Sequence, residues 1–227
     1  MPGMSFGAIF DWDGVIVDSS VQHEEGWKRL AAEEGKSLPE GHFTKSFGMK
    51  NEHVIPAILK WTDDPVEIRR LSLRKEELYR IIALETGIQP LDGVVAFLAA
   101  LAVAGVPCVI GSSTHRLNIE VFLDAMGLRS YFSAIVSAED VSRGKPDPEV
   151  FQTAAARIDR RPDQCVVFED AHVGIEAGLA GGFTVVAVAG THLGETLENA
   201  HLVVDRLDEL SVADLARLVE KTAGRQN

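Results

Sequence analysis

The sequence is poor in cysteine, with only Cys108 and Cys165 among 227 residues. Two cysteines cannot make a disulfide framework. Each falls in an apolar, strand-like run, so both are read as buried thiols in a reducing cytoplasm. No run of about 18 apolar residues occurs, so no membrane-spanning helix is expected. The opening, Met1–Phe6, shows no basic region followed by an apolar stretch, and no secretory leader is expected. Clusters of four or more Lys/Arg are absent and the net charge is −12, a balance that repels nucleic acid and anionic lipid. An anionic substrate would therefore need a few placed cations to reverse the local field. Internal repeats and low-complexity segments are absent too.

What is present is ordinary for a globular protein: 46% hydrophobic and 25% charged residues, enough apolar material for a sizeable core. The length allows one to two domains. Ala8-Ile9-Phe10 is a short apolar run that stops at Asp11. From about Ser19 to Gly87 the pattern is helical. From Leu91 onward, strand-like runs (Val106–Gly111, Ala134–Val136, Cys165–Phe168, Phe183–Ala189, Leu202–Val204) alternate with helical stretches (Val94–Ala104, Leu117–Met126, Glu149–Ile158, Gly174–Ala180, Val212–Lys221). Asp147 before Pro148 reads as a helix start. This alternation, with runs apolar throughout, predicts an α/β fold: a doubly wound, Rossmann-like parallel sheet covered on both faces. Residues 1–17 and 90–227 are expected to form that core. Residues 18–89 are expected to form an α-helical cap inserted after the first strand.

Ligands of open parallel sheets bind beyond the carboxyl ends of the strands, and the polar residues collect there. Asp11 and Asp13 are two apart, so in an extended segment both carboxylates point one way, and Gly14 permits a sharp turn. Ser112-Ser113-Thr114 follows the second strand, where hydroxyls and free amides at a helix start can hold an anion or simply cap the helix. Lys145 sits between Gly144 and Pro146, and Glu169-Asp170 follows another strand. Any one of these reads equally well as a cap, a turn or a solvated lysine; the convergence of four segments is the signal. Clustered carboxylates need a cation or protons among them, and oxygen-only ligands suit Mg2+.

Phe10-Asp11-Trp12-Asp13-Gly14-Val15, Ser112, Gly144-Lys145-Pro146-Asp147-Pro148 and Glu169-Asp170 with Gly174 together resemble the four motifs of the haloacid dehalogenase superfamily. They occur in order and over most of the chain. The nearest branch is the β-phosphoglucomutase-like and sugar-phosphate phosphatases. The resemblance implies a Mg2+-dependent phosphatase acting on a small phosphorylated metabolite through an aspartyl phosphate. Asp11 would be the nucleophile and Asp13 the general acid/base. Ser112, Ser113 and Lys145 would hold the phosphoryl group. Asp11, Asp170 and the Asp13 main-chain carbonyl would bind the metal, with Glu169 acting through a water or ligand. A phosphomutase is the alternative. A phosphonatase, with Lys50 as the cap lysine, is disfavoured by Asp13, and a non-catalytic binding protein has no need of this constellation.

The cap is expected to choose the substrate. Pro65–Leu84 reads as one helix, with Lys75 on the apolar seam of Ile68, Leu71, Leu78 and Ile82, either snorkelling to water or pointing into the cleft. His23 and Trp27 lie one turn apart; His23 is expected to orient substrate or Asp13, and Trp27 to be core or cleft wall. Asn51 stands where the mutases carry an arginine for a second phosphate, and Lys50 is a possible point-charge substitute. Arg116 is expected to contact substrate phosphate or solvent. A small-molecule partner, no nucleic acid, no membrane and a monomer complete the expectations.

Overall fold

The structure, a computed structural model, describes residues 6–224. Positions 1–5, which carry most of the leader reading, and 225–227, the end of the expected core segment, lie outside the described residues.

Six strands form one parallel sheet: β1 Gly7–Phe10, β2 Cys108–Gly111, β3 Ala134–Val136, β4 Cys165–Glu169, β5 Thr184–Val188 and β6 Leu202–Val204, in the order β3-β2-β1-β4-β5-β6. The β-branched runs Val109-Ile110, Val166-Val167 and Val185-Val186 are wholly buried, as strands covered on both faces require. β2 begins two residues later than its apolar run because Pro107 has no N–H for the ladder; its carbonyl instead accepts from Ala8 N at 2.9 Å.

Nine α-helices accompany the sheet among the described residues: α1 Ser20–Glu33, α2 His42–Ser46, α3 Asn51–His53, α4 Pro65–Thr86, α5 Val94–Val103, α6 Arg116–Ala125, α7 Glu149–Arg157, α8 His172–Ala180 and α9 Val212–Ala223. Phe97 and Leu101 of α5, Phe122 of α6 and Leu215 of α9 fill one face of the sheet; Phe151 of α7 and Ile175 of α8 fill the other. α7 starts just past Pro148, and Asp147 Oδ1 accepts from Glu149 N at 3.0 Å.

The helices between β1 and α5 have a core of their own, built on Trp27, Leu30, Val54, Ile55, Leu71 and Leu78. α1 packs along α4. α4 starts as its sequence dictates: Asp64 accepts from Val66 N at 3.0 Å and Pro65 occupies the first turn. Tyr79 and Ala83 of α4 join the core on the sheet, so this helical unit is seated on the strand ends. β1 lies between β2 and β4, and the chain doubles back across it; the crevice of such a sheet opens at this reversal.

Candidate active site

Asp11 directly follows β1 and is buried, as is Asp13. Gly14 adopts φ +75° and turns the chain away; a Cβ there would lie 1.8 Å from Asp170 Oδ2. Glu169 closes β4 and Asp170 follows it. One oxygen from each of Asp11, Glu169 and Asp170 lies within 4.8 Å of the others, and all three residues are buried.

Lys145 reaches this cluster from the loop before α7. Its Nζ is 3.0 Å from Asp11 Oδ1 and 2.5 Å from Glu169 Oε1. Glu169 Oε2 accepts from the backbone N–H groups of Asp170 and Ala171, each at 2.8 Å. Glu169 is thus committed to holding the lysine and the loop. Asp11 Oδ1 and both oxygens of Asp170 are buried without a hydrogen bond of normal geometry, although Lys145 lies beside the first and the Thr191 hydroxyl beside the second pair. Burial pushes Asp11 up; Lys145 opposes this, and Glu169 and Asp13 add to it. Burial, then the charges of Glu169 and Asp11, push Asp170 well up. Two proton-hungry carboxylates with open oxygens, arranged around a space that only a glycine leaves clear, fit a hard cation. Burial disfavours the Lys145 charge, but Asp11 and Glu169 outweigh it and raise its pKa.

Asp13 faces the opposite surroundings. It accepts from the hydroxyls of Ser19 and Thr114, and His23 Nε2 is 3.1 Å from its Oδ1. Burial alone would raise it, but His23, Ser19 and Thr114 hold it below the ordinary aspartate value. Two aspartates two residues apart are therefore driven in opposite directions.

Ser112 is buried at the end of β2; its N–H donates to Val136 O at 3.0 Å, and its Oγ accepts from Thr114 N at 3.2 Å. Ser112 and Ser113 line the cavity between sheet and helical unit. Neither Ser113 nor Thr114 caps α6: Glu139 accepts from Arg116 N instead, at 3.1 Å, which leaves the Thr114 hydroxyl for Asp13.

The opposite wall comes from the helical unit. Lys75 does not snorkel to water; it is buried, with Nζ 2.5 Å from His23 Nδ1 and 2.8 Å from Glu76 Oε1. Trp27 is both core and wall: it lies edge-on to Trp61, and its ring is 5.4 Å from Lys75 Nζ. Asn51 lines the cavity and donates to Glu76 Oε1 at 2.7 Å.

Two expected contacts are not brought to the site. Lys50 Nζ donates to Val141 O at 2.7 Å and its stem covers Gly144, so it ties the helical unit to a core loop. Arg116 pairs with Asp140 at 2.5 Å and donates to Ile135 O at 3.1 Å. Conversely, Glu76 was missed. It follows Lys75 and reads as an ordinary helix carboxylate, whereas it is buried in the cavity wall. The signal available was its adjacency to a lysine on an apolar seam.

Residues 7–182 match the family model of haloacid dehalogenase-like hydrolases. The chain is 42% identical over 217 residues to the chloroplastic 5-amino-6-(5-phospho-D-ribitylamino)uracil phosphatase of Arabidopsis thaliana, covering 94% of this chain and 58% of that protein. The chain thus spans little more than half the length of that relative. It is 31% identical over 185 residues to the fructose-1-phosphate phosphatase YqaB of Escherichia coli, covering 80% of this chain and 95% of that protein. The solved β-phosphoglucomutase of Clostridium difficile matches with a TM-score of 0.83 at 25% identity, over 95% of this chain and 97% of that one.

Proposed function

The chain belongs to the haloacid dehalogenase-like hydrolases, and from that premise we propose that it catalyses phosphoryl transfer, as a Mg2+-dependent phosphatase of a small phosphorylated metabolite, a sugar phosphate or a compound close to one. The observation that carries this reading is the contrast between Asp11, pushed up by burial beside Lys145 and the buried oxygens of Asp170, and Asp13, held below the ordinary aspartate value by His23, Ser19 and Thr114.

Asp11 attacks phosphorus in line. The bond to the ester oxygen breaks, and an aspartyl phosphate forms. The approaching phosphate dianion raises the proton affinity of Asp13, which takes up a proton from solvent and gives it to the departing oxygen. Asp13 then takes a proton from the water that attacks the aspartyl phosphate, releasing phosphate and restoring Asp11. Ser112, Ser113 and Lys145 hold the phosphoryl oxygens. Asp11, Asp170 and the Asp13 main-chain carbonyl would hold Mg2+, with Glu169 outside them through Lys145. When bound, the ion supplies charge neutralisation for the clustered carboxylates and the phosphoryl group.

Residues 18–89 act as the cap in this reading, with His23 and Lys75 joining it to Asp13. The phosphomutase reading draws little support, since Lys50, the cation available for a second phosphate, is spent on Val141. The same bond leaves the phosphonatase reading without its cap lysine. Two buried free thiols, with pKa values raised to about 12 by burial, fit a reducing compartment. No helix among the described residues is long and apolar enough to cross a membrane.

The test is phosphate release from p-nitrophenyl phosphate and a panel of sugar monophosphates, with and without Mg2+, followed by acid quenching and peptide mass analysis. Expected are Mg2+-dependent release and a phosphoryl group on Asp11. Conversion of β-glucose 1-phosphate to glucose 6-phosphate without net phosphate release would replace this reading with the mutase.

A further inference from the structure

The wall that α4 contributes to the cavity carries a carboxylate. Glu76 is buried there, with one oxygen accepting from Lys75 and Asn51 and the other from Asn118 Nδ2 of α6. Asn118 is held in turn by Arg80 Nη1 at 2.7 Å. Burial would favour the neutral acid, but Lys75, His23 and His115 overcome it and hold Glu76 far below the ordinary glutamate value. Glu76 is therefore a fixed negative charge.

The cations around that wall are already matched. Lys75 is the lysine or arginine lining the cavity among the described residues, and Glu76 neutralises it. Lys50 serves Val141 and Arg116 serves Asp140. The remaining surface is Trp27, Phe43, Phe47 and Met49, with Ser46 and Asn51 as its neutral polar groups. Such a wall accepts hydroxyl and amine donors beside apolar surface and offers no uncompensated charge to an anion.

Resting on the phosphatase reading, we propose that Glu76 confines this enzyme to monophosphates whose distal part is uncharged and bears hydroxyl or amine donors, and that it rejects substrates with a second phosphate. Glu76 is the acceptor for such a donor, and because its charge cancels that of Lys75, a second dianion meets no free cation at this wall. A dianion desolvated with no counter-charge is rejected more strongly than a neutral group that merely loses a contact, and Glu76→Gln would unmask Lys75 for it.

The experiment compares matched pairs on one carbon skeleton: fructose 1-phosphate with fructose 1,6-bisphosphate, and mannitol 1-phosphate with mannitol 1,6-bisphosphate. The full chain with Mg2+ is used, and kcat/KM is read for each. The wild type is expected to favour each monophosphate by about 100-fold or more, and Glu76→Gln to narrow that ratio by about 10-fold. The ratio is independent of any general loss of activity in the variant, and if Glu76→Gln does not fold, the wild-type ratios decide alone. Bisphosphates turned over as fast as monophosphates by the wild type, or a ratio unmoved by a folded Glu76→Gln, would overturn the assignment while leaving the phosphatase reading in place. No release from p-nitrophenyl phosphate would overturn both.

Discussion

His23, on α1 of the helical unit, places Nε2 3.1 Å from Oδ1 of Asp13 on the loop after β1. The residue assigned to move protons is thereby held by a side chain of the helical unit, and seating that unit on the sheet completes the site. On this reading Asp13→Asn should slow turnover by about 10²–10⁴-fold, less for substrates with good leaving groups. Asp11→Asn should abolish it, by about a thousandfold or more, with the fold kept. Steady-state rates and a thermal melt of both variants check this; an active Asp11→Asn would remove the nucleophile assignment.

Lys75 and Glu76 form a buried pair at 2.8 Å, so removing one partner strands the other's charge. Lys75→Met is expected to cost about 3–5 kcal/mol, and Lys75→Met/Glu76→Gln to recover most of that loss. Denaturant melts of the two single variants and the double variant measure the coupling. Additive effects would mean that the pair is not coupled.

The open oxygens of Asp11 and Asp170 suit a cation that binds only the folded chain. Mg2+ at about 100 times its Kd should raise the melting temperature by roughly 5 °C or more. Chelation should abolish phosphate release. Asp170→Asn should show neither response to Mg2+; a full thermal shift in that variant would move the ion elsewhere.

Gly174 lies one turn into the helix after Glu169, and an added Cβ would sit 1.7 Å from Glu169 Oε1. Gly174→Ala should therefore displace Glu169 and with it Lys145, lowering kcat by about 10–100-fold, while Gly224→Ala, at φ −69° and with no atom closer than 3.4 Å to an added Cβ, leaves kcat unchanged. Equal activity of the two variants would separate Glu169 from the chemistry.

His115 Nδ1 is 3.1 Å from Glu139 Oε1. Burial opposes its charge, but Glu139, Glu76 and Glu52 outweigh burial and raise its pKa. A raised histidine pKa stabilises the fold fully below the ordinary value of 6.5, and that contribution is lost as pH rises through the folded pKa. Glu139, lowered to about 2 by its bonds to His115 and the Arg116 backbone against the opposing effect of burial, contributes above 4.5 and is lost only as pH falls toward 2. The wild type should lose up to about 1 kcal/mol more stability than His115→Gln between pH 6 and 8, the limit reflecting the half-exposed Glu139. Parallel stability curves for the two proteins would refute this.

The sequence by itself determined the parallel α/β architecture, because strands buried on both faces must be apolar throughout and helices between them must carry a seam. It also pointed to Asp11, Asp13, Ser112, Lys145, Glu169 and Asp170, since in such a sheet whatever follows a strand arrives at one edge. Small shifts of boundary came from local chemistry, as at Pro107. What only the tertiary structure decided is partnership. Lys75 and Lys50 are both lysines of the same helical unit, yet one is buried against Glu76 and His23 and the other is spent on Val141. Arg116 stands beside the serine loop in sequence but serves Asp140. Thr114 could cap its helix but bonds Asp13, because Glu139 arrives from elsewhere to take the helix N–H. The charge at each position is written in the chain; which charges meet, and so which remain for a substrate, depends on the packing of α4 against α1, α3 and the sheet edge, where contacts join residues many tens of positions apart.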